Sequence, residues 1–449
     1  MAEYFHSVTL DKDKCKGCTS CIKGCPTEAI RVRNGKARIM PERCIDCGEC
    51  IRVCPYHAKV AITDPLLAID KYRYKIVLPA PSLYGQFKNL ESVEKLLLGL
   101  KMMGFDGVYE VAKAADLASG LIKNELNKKN RKRPLISSAC PAIVRLIQLR
   151  FPELIDNIVN VESPMEIAGL QARVEFCEQN SIFDENEVGV FFVTPCAAKV
   201  TAIRNPITKY KSSVDGAISI VDVYGTISSN IKKIDDKKYD DALVSKKASF
   251  LGVGWANSGG ESSSLLTDNF LAVDGIQNVL RVLEEIENNK FTDLDFFEGL
   301  SCTGGCVGGP LVFENGFVAK NRIKRLVDRL GSQTLAAPLP FKENHANSDY
   351  YFKQSILPRS VLKLDNDLSI AIKKVELIEK IHSEFPGLDC GSCGSPNCKS
   401  LAEDIVRGLA SDLDCIFKLR EKVKKLAQEM IGLSEKIPGG ETNGDSNSN

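Results

Sequence analysis

From about residue 70 onward, short apolar runs alternate with longer amphipathic stretches. KIVLPAP (75–81), RPLISSA (133–139), GVFFVTP (189–195) and SFLGVG (249–254) read as strands, each ending at small or special residues. Between them SVEKLLLGLKMMG (92–104) and GIQNVLRVLEEIENNK (275–290) carry apolar residues at helical spacing. This alternation predicts an α/β domain over 63–340 with mostly parallel strands, whose active residues belong at strand ends and in the loops that follow. Residues 1–62 form a different, cysteine-rich unit, expected to be a small α+β domain. Segment 341–375 is polar and weakly patterned and reads as a linker. Residues 376–415 carry a further cysteine group and predict a small helical domain. From Ile416 the apolar residues run Ile416, Leu419, Val423, Leu426, Met430, Leu433 and Ile437. That spacing over 416–437 predicts either a coiled-coil seam of about three heptads or one amphipathic helix packed on its own domain. The tail 438–449 has no core-forming residues and is expected to be disordered.

Composition narrows the classes. The 449 residues are 44% hydrophobic and 26% charged with a net charge of +1, so no electrostatic case exists for nucleic acid or a membrane surface. No stretch of about 18 apolar residues could span a bilayer. The start, MAEYFHSVTLDKDK, has neither a basic leader nor an apolar core, and a cytoplasmic location is expected.

Cysteine is the outlier, with 17 copies against four histidines. Tight C-x-x-C groups in a chain without a secretory leader point to metal ligation rather than disulfides. None of His6, His57, His345 and His382 stands beside a cysteine pair at zinc-finger spacing. C-x2-C-x2-C-x3-C-P occurs twice, as Cys15, Cys18, Cys21, Cys25 and as Cys44, Cys47, Cys50, Cys54. Three closely spaced thiolates wrap three corners of one cubane, and the fourth cysteine of each run reaches the other cluster. The expected sets are therefore Cys15, Cys18, Cys21 and Cys54 for one [4Fe–4S] cluster, and Cys44, Cys47, Cys50 and Cys25 for the second. The segment resembles a bacterial two-cluster ferredoxin; the bland alternative is a zinc module.

Four more cysteines are scattered through the middle: Cys140 in SSACPAIV, Cys196 in TPCAAK, and Cys302 and Cys306 in EGLSCTGGCVGGP. Singly, each could be a buried apolar residue. Together they resemble, in order, the three signature motifs of the [FeFe]-hydrogenase catalytic domain: T-S-C-C-P, M-P-C-x-x-K-x-x-E and E-x-M-A-C-x-x-x-C-x-G-G. APS (80–82), GFDGVYEVAKAADL (104–117) and SGG (258–260) agree, and the resemblance covers roughly 70–340. It implies that Cys140, Cys196, Cys302 and Cys306 hold the [4Fe–4S] part of an H-cluster. Cys306 would also bridge to a diiron subsite carrying CO, CN⁻ and an azadithiolate. It further implies that Lys199 hydrogen-bonds one cyanide and that Pro81 and Ser82 flank the other. An ammonium beside an anionic ligand makes physical sense, because charge-assisted bonds are strong. The alternative for Lys199 is a plain surface lysine after a strand.

The chain departs from the family at several points. Ala139 stands where the family has its proton-donating cysteine. Thr194 replaces a methionine, Ala202 a glutamate, Leu300 a methionine, and Leu121 and Ile122 a carboxylate pair. Hydrogen chemistry moves protons as well as electrons, so these losses predict an assembled H-cluster with slow turnover, suited to sensing or regulation. Glu110, Asp116 and Glu298 are candidates for a replacement relay.

The last group is Cys390, Cys393, Cys398 and Cys415. Four thiolates suit [4Fe–4S] or zinc; the context CGSCGSPNC resembles the four-cysteine Fe–S domain of corrinoid Fe–S proteins. Sixteen cysteines are thus assigned, and Cys177 is left as a packed thiol. The expected function is a modular [FeFe]-hydrogenase-like oxidoreductase acting on H2 and protons, with a ferredoxin-type redox partner and a dimer or signalling partner at 416–437. The alternative is a non-catalytic Fe–S protein, an assembly factor or electron carrier, lacking the diiron subsite.

Overall fold

The computed structural model describes residues 5–88, 90, 92–129, 131–234, 248–333 and 345–434. Packing divides the chain into two units that do not follow the sequence boundaries. Met1–Lys16, Gly24–Ala29 and Ile39–Leu362 form one; Gly17–Lys23, Ile30–Arg38 and Lys363–Asn449 form the other.

In the first unit, Gly107–Val108, Tyr74–Pro79, Val188–Thr194 and Gly216–Ser219 lie side by side in that order, all parallel. Val188–Thr194 is buried along its whole length. That is why VGVFFVT reads as a continuous apolar run: a central parallel strand is covered on both faces. Successive residues serve opposite cores. Ile76 and Leu78 pack with Ala114, Ala118, Ala168 and Ala172 of helices Val111–Leu126 and Pro164–Asn180. Val77 and Phe191 pack with Leu96, Leu100, Val223 and Ile227 of helices Val93–Lys101 and Ile220–Lys233. Each large apolar side chain so buried contributes about 2 kcal/mol. A second parallel sheet orders Phe270–Asp274, Phe296–Leu300 and Leu135–Ile136. The N-terminal part adds an antiparallel pair, Val8–Leu10 with Lys59–Ala61.

The α/β expectation holds, with local corrections. SFLGVG is a helix, Phe250–Gly254, because Ser249 caps Leu251 and Gly252 N–H groups. Gly252 also lets it press on the helix at Ala112, where an added Cβ would lie 2.1 Å from the Ala112 oxygen. Strands Gly216–Ser219, Phe270–Asp274 and Phe296–Leu300 were not anticipated; they are only four or five residues long, and the last is interrupted by the polar Glu298. The expected linker is not solvent-bound throughout, since Tyr350 and Ile356 are buried in apolar clusters.

The second unit combines the short helix Ser20–Lys23 and a hairpin of Ile30–Arg33 and Lys36–Ile39 with helices Leu368–Ser383, Cys398–Val406 and Ile416–Ser434. Its apolar centre is Ile378, Phe385, Leu401, Ala402 and Cys415. Asp367 starts the first long helix by accepting from Ser369 and Ile370 N–H groups. Helix Ile416–Ser434 buries none of its residues, so its apolar seam is not packed on its own domain. Ile437 and the tail 438–449 lie outside the described residues. No described helix is long and apolar enough to cross a membrane.

Candidate metal centre

Parallel strands deliver their following loops to one end, and four loops converge there. Strand Leu135–Ile136 leads into Ser137, Ser138, Ala139 and Cys140, which immediately precedes helix Pro141–Arg150. Val188–Thr194 leads through Pro195 to Cys196, ahead of helix Ala197–Arg204 with Lys199. Phe296–Leu300 leads to Cys302 and Cys306, and Tyr74–Pro79 to Pro81 and Ser82. All of these except Ser137 and Ser138 line one cavity of about 900 Å³, joined by Met165, Trp255, Glu261 and Glu298.

The four thiols crowd one another. Burial drives the Cys196 thiol well above its ordinary range, and Cys302, Cys140 and Cys306 add to it. Cys306 is pushed up to about 12 by burial and by Cys302 and Cys140, with Lys199 opposing. Four sulfurs in so apolar a site suit a cationic iron centre, which relieves both the repulsion and the burial penalty. Ser82 Oγ, Ser301 Oγ and Glu261 Oε1 are buried at the cavity wall without a hydrogen-bond partner among the described residues, as a bound group with polar ligands would require. Gly305 has φ +99°, and a Cβ there would lie 2.5 Å from Ser258 N; at Gly309 it would lie 2.3 Å from the Pro195 oxygen. Only glycine closes the Cys302–Cys306 loop this tightly.

Around the cavity the polar contacts are local. Thr194 Oγ accepts from Cys196 N at 3.1 Å and donates to Cys196 O at 3.0 Å. Ser137 Oγ accepts from Ala139 N at 3.1 Å and donates to Glu261 at 2.6 Å. Glu298 accepts from Ser262 N and Oγ at 2.9 and 2.7 Å and from Gly259 N at 2.9 Å. Burial holds Glu261 and Glu298 toward the neutral form, and Glu298 adds to the effect on Glu261. Of the three acids singled out in the sequence, only Glu298 lines the cavity. Glu110 takes the Tyr84 hydroxyl at 2.8 Å and Asp116 the Ser249 hydroxyl at 2.5 Å. A neighbouring cavity of about 450 Å³ shares the Pro141 and Met165 walls and contains Ala202 and Glu162. Burial pushes Glu162 up to about 7 against the pull of Lys209.

In the N-terminal part, burial raises the Cys44 and Cys47 thiols well above the usual value, and Cys25 and Cys50 are close enough to add to both. Cys25 from the first run thus lies near Cys44 and Cys47 of the second. Cys25 and Cys54 each accept a backbone N–H four residues on, from Ala29 at 3.2 Å and Ala58 at 3.3 Å. Cys15 and Cys54 belong to the first unit, Cys18 and Cys21 to the second. Asp46 is 1% exposed and accepts from Ser7 N, Val8 N and Thr201 Oγ1, the last at 2.8 Å. His6 and Cys44 lie within 4.8 Å of Asp46, but those hydrogen bonds already engage both Asp46 oxygens. In the second unit, Cys390, Cys393, Cys398 and Cys415 line one cavity of about 310 Å³, and Asp389, beside it, accepts from Cys398 N at 2.7 Å. An all-thiolate set fits an Fe–S cubane. Cys177 is a packed thiol in helix Pro164–Asn180.

Sequence reading missed Arg52, Asp46, Glu162 and Glu261. Arg52 had a signal, its place between Cys50 and Cys54; the others are carboxylates whose burial no spacing rule reveals.

Residues 73–270 and 262–310 match the family described as iron only hydrogenase large subunit, C-terminal domain. Residues 7–55 match a 4Fe-4S dicluster domain, and residues 385–417 match an Fe-S cluster family. Iron hydrogenase 1 of Clostridium pasteurianum is 25% identical over 371 residues, 68% of this chain and 64% of that protein. The periplasmic [Fe] hydrogenase large subunit of Nitratidesulfovibrio vulgaris is 29% identical over 213 residues, 43% of this chain and 50% of that one. A cytosolic Fe-S cluster assembly factor of Candida dubliniensis is 25% identical over 237 residues, 45% of this chain and 40% of that one. The match therefore spans between half and two thirds of the length of these two hydrogenases.

Proposed function

The chain belongs to the iron-only hydrogenase large-subunit family, and from that membership we propose an iron–sulfur oxidoreductase that interconverts H2 with two protons and two electrons, slowly, in a sensory or regulatory role. One observation carries the reading. A single cavity gathers Cys140, Cys196, Cys302, Cys306, Lys199, Pro81 and Ser82, and it has Ala139 in its wall.

On this reading the four cysteines would hold a [4Fe–4S] cubane, Cys306 would also help hold a diiron subsite, and that group would supply the redox chemistry of dihydrogen. Lys199, in the wall of the same cavity, would donate a charge-assisted hydrogen bond to an anionic ligand of that group. Ser82, whose hydroxyl has no hydrogen-bond partner among the described residues, lines the same cavity from the loop after Tyr74–Pro79. Ala139 can neither accept nor release a proton. The acids left at the wall are Glu261 and Glu298, both held toward the protonated state, and Ser137 ties Glu261 to the Ala139 amide. A relay rebuilt from these groups is consistent with low turnover. Electrons would pass through cubanes on the N-terminal cysteine sets and on Cys390, Cys393, Cys398 and Cys415, to a ferredoxin-type partner in the cytoplasm. The sequence boundaries 1–62, 63–340 and 376–415 then mark the conducting, catalytic and accessory parts, and 416–437 is the place for a dimer or signalling partner.

The likeness to an Fe-S cluster assembly factor favours a second reading, in which the central cysteines hold a cubane alone. Infrared spectroscopy after anaerobic maturation with the diiron complex separates the two. Bands from CO and CN⁻ are expected. Their absence in fully iron-loaded protein would defeat the hydrogenase reading and leave the assembly or carrier role.

A further inference from the structure

Part of the N-terminal ferredoxin-like segment is built into the C-terminal four-cysteine unit. The hairpin of 30–38 makes that join. Arg31, 6% exposed, binds Asp404 through two bonds, Nε to Oδ2 at 2.5 Å and Nη2 to Oδ1 at 2.9 Å. Arg33 donates to the Cys393 carbonyl at 2.8 Å and to Ser395 Oγ at 3.0 Å. Val32 N donates to Gly394 O at 2.8 Å, and a Cβ on Gly394 would lie 1.9 Å from the Val32 oxygen. The hairpin also presses on the loop that carries Cys18 and Cys21. A Cβ on Gly17 would lie 2.4 Å from the Gly35 oxygen. The two cysteine loops meet directly as well: a Cβ on Gly391 would lie 3.5 Å from both Ile22 Cδ1 and Lys23 Cε. Ile22 follows Cys21, and Gly391 follows Cys390.

This arrangement is costly to maintain unless it serves a purpose. A buried bidentate ion pair adds little net stability over apolar packing, but it fixes geometry. Two glycines are required so that backbone can touch backbone. What is held in place is the spacing between two thiolate loops, and electron exchange between cubanes depends steeply on that spacing.

We infer that the site of Cys390, Cys393, Cys398 and Cys415 is a redox station in direct exchange with the cluster that uses Cys18 and Cys21, across the Ile22–Gly391 contact. The proposal rests on the Fe–S reading of both sites. The step moves one electron: one cubane is oxidised as the other is reduced, and no bond or proton changes. Arg31, Arg33 and Asp404 are positioning residues. Through this contact, which lies within the second unit, the redox state at Cys18 and Cys21 reaches the four-cysteine site whose Cys415 directly precedes helix Ile416–Ser434, which gives the signal a route to whatever binds there.

The test uses the full chain, anaerobically reconstituted and reduced with dithionite, with metal analysis and low-temperature EPR on the same samples. Wild type is expected to give a spectrum broadened by spin coupling, and Cys398→Ser, which removes one thiol of the C-terminal site, to sharpen the signal of the remaining clusters. Gly394→Val is expected to keep iron at both sites and lose the same broadening; Arg31→Lys, a gentler change, should lose part of it. Full iron loading with spectra that simply add, unchanged in all variants, would overturn the redox station and leave the cluster assignments intact. Zinc at the C-terminal site would overturn both.

Discussion

Arg52 stands between the second N-terminal cysteine run and the central cavity. Its Nη1 donates to the Gly308 carbonyl at 3.2 Å, and its positive charge lies close enough to Cys302 to hold down that thiol's burial-raised pKa. Burial opposes the Arg52 charge, yet Cys302 and Glu49 outweigh it, so the guanidinium is held firmly protonated. It is therefore a fixed cation between two sets of thiolates.

A fixed cation favours the more negative, reduced state of an adjacent cluster. Arg52→Met should lower the potential of the cluster on Cys302 by roughly 50 mV, from a lost interaction of about 1 kcal/mol. Spectroelectrochemistry of the loaded protein reads this. An unchanged potential with intact iron would mean that the charge is screened.

Ala139→Cys restores a titratable group at the cavity wall. General acid–base assistance is commonly worth about a hundredfold or more, so H2 turnover should rise by at least tenfold. A loaded variant with wild-type turnover would show that proton delivery at this position does not limit the rate.

Glu162 is pushed up to about 7 in the folded chain from its ordinary 4.5. Between those pH values the unfolded chain binds fewer protons at this site than the folded one, so stability falls as pH rises through the window, by about 3 kcal/mol at most. Glu162→Gln should flatten that slope, with a melting temperature closer to wild type at pH 5 and higher at pH 7.5. Equal slopes in both proteins would count against a buried neutral carboxyl.

Asp46 ties Ser7 and Val8 to Thr201, on the helix that carries Lys199. Asp46→Ala leaves these donors without that acceptor, at about 1 kcal/mol or more each. Hydrogen exchange should speed up at Val8 and in helix Ala197–Arg204 together. Faster exchange at Val8 alone would mean that the helix does not depend on the tie.

The cysteine runs were legible because cubane ligation needs thiols at short fixed intervals, and because the loops carrying Cys140, Cys196, Cys302 and Cys306 follow recognisable motifs. The strand Val188–Thr194 was legible because burial on both faces leaves a seven-residue apolar run. SFLGVG misled because five apolar or small residues suit a buried strand or helix equally, and only the Ser249 cap and the contact at Ala112 settle it.

The sequence by itself determined which thiols fall into cluster-like sets and in what order they come, since spacing along the chain is a local property. Tertiary structure decided what surrounds them. The nearness of Arg52 to Cys302, the facing of Glu261 and Glu298 into one cavity, and the clamp of Arg31 on Asp404 join residues far apart in sequence. Such pairings arise from packing and from the cost of leaving buried polar groups unmet, and neither leaves a periodic trace in the chain.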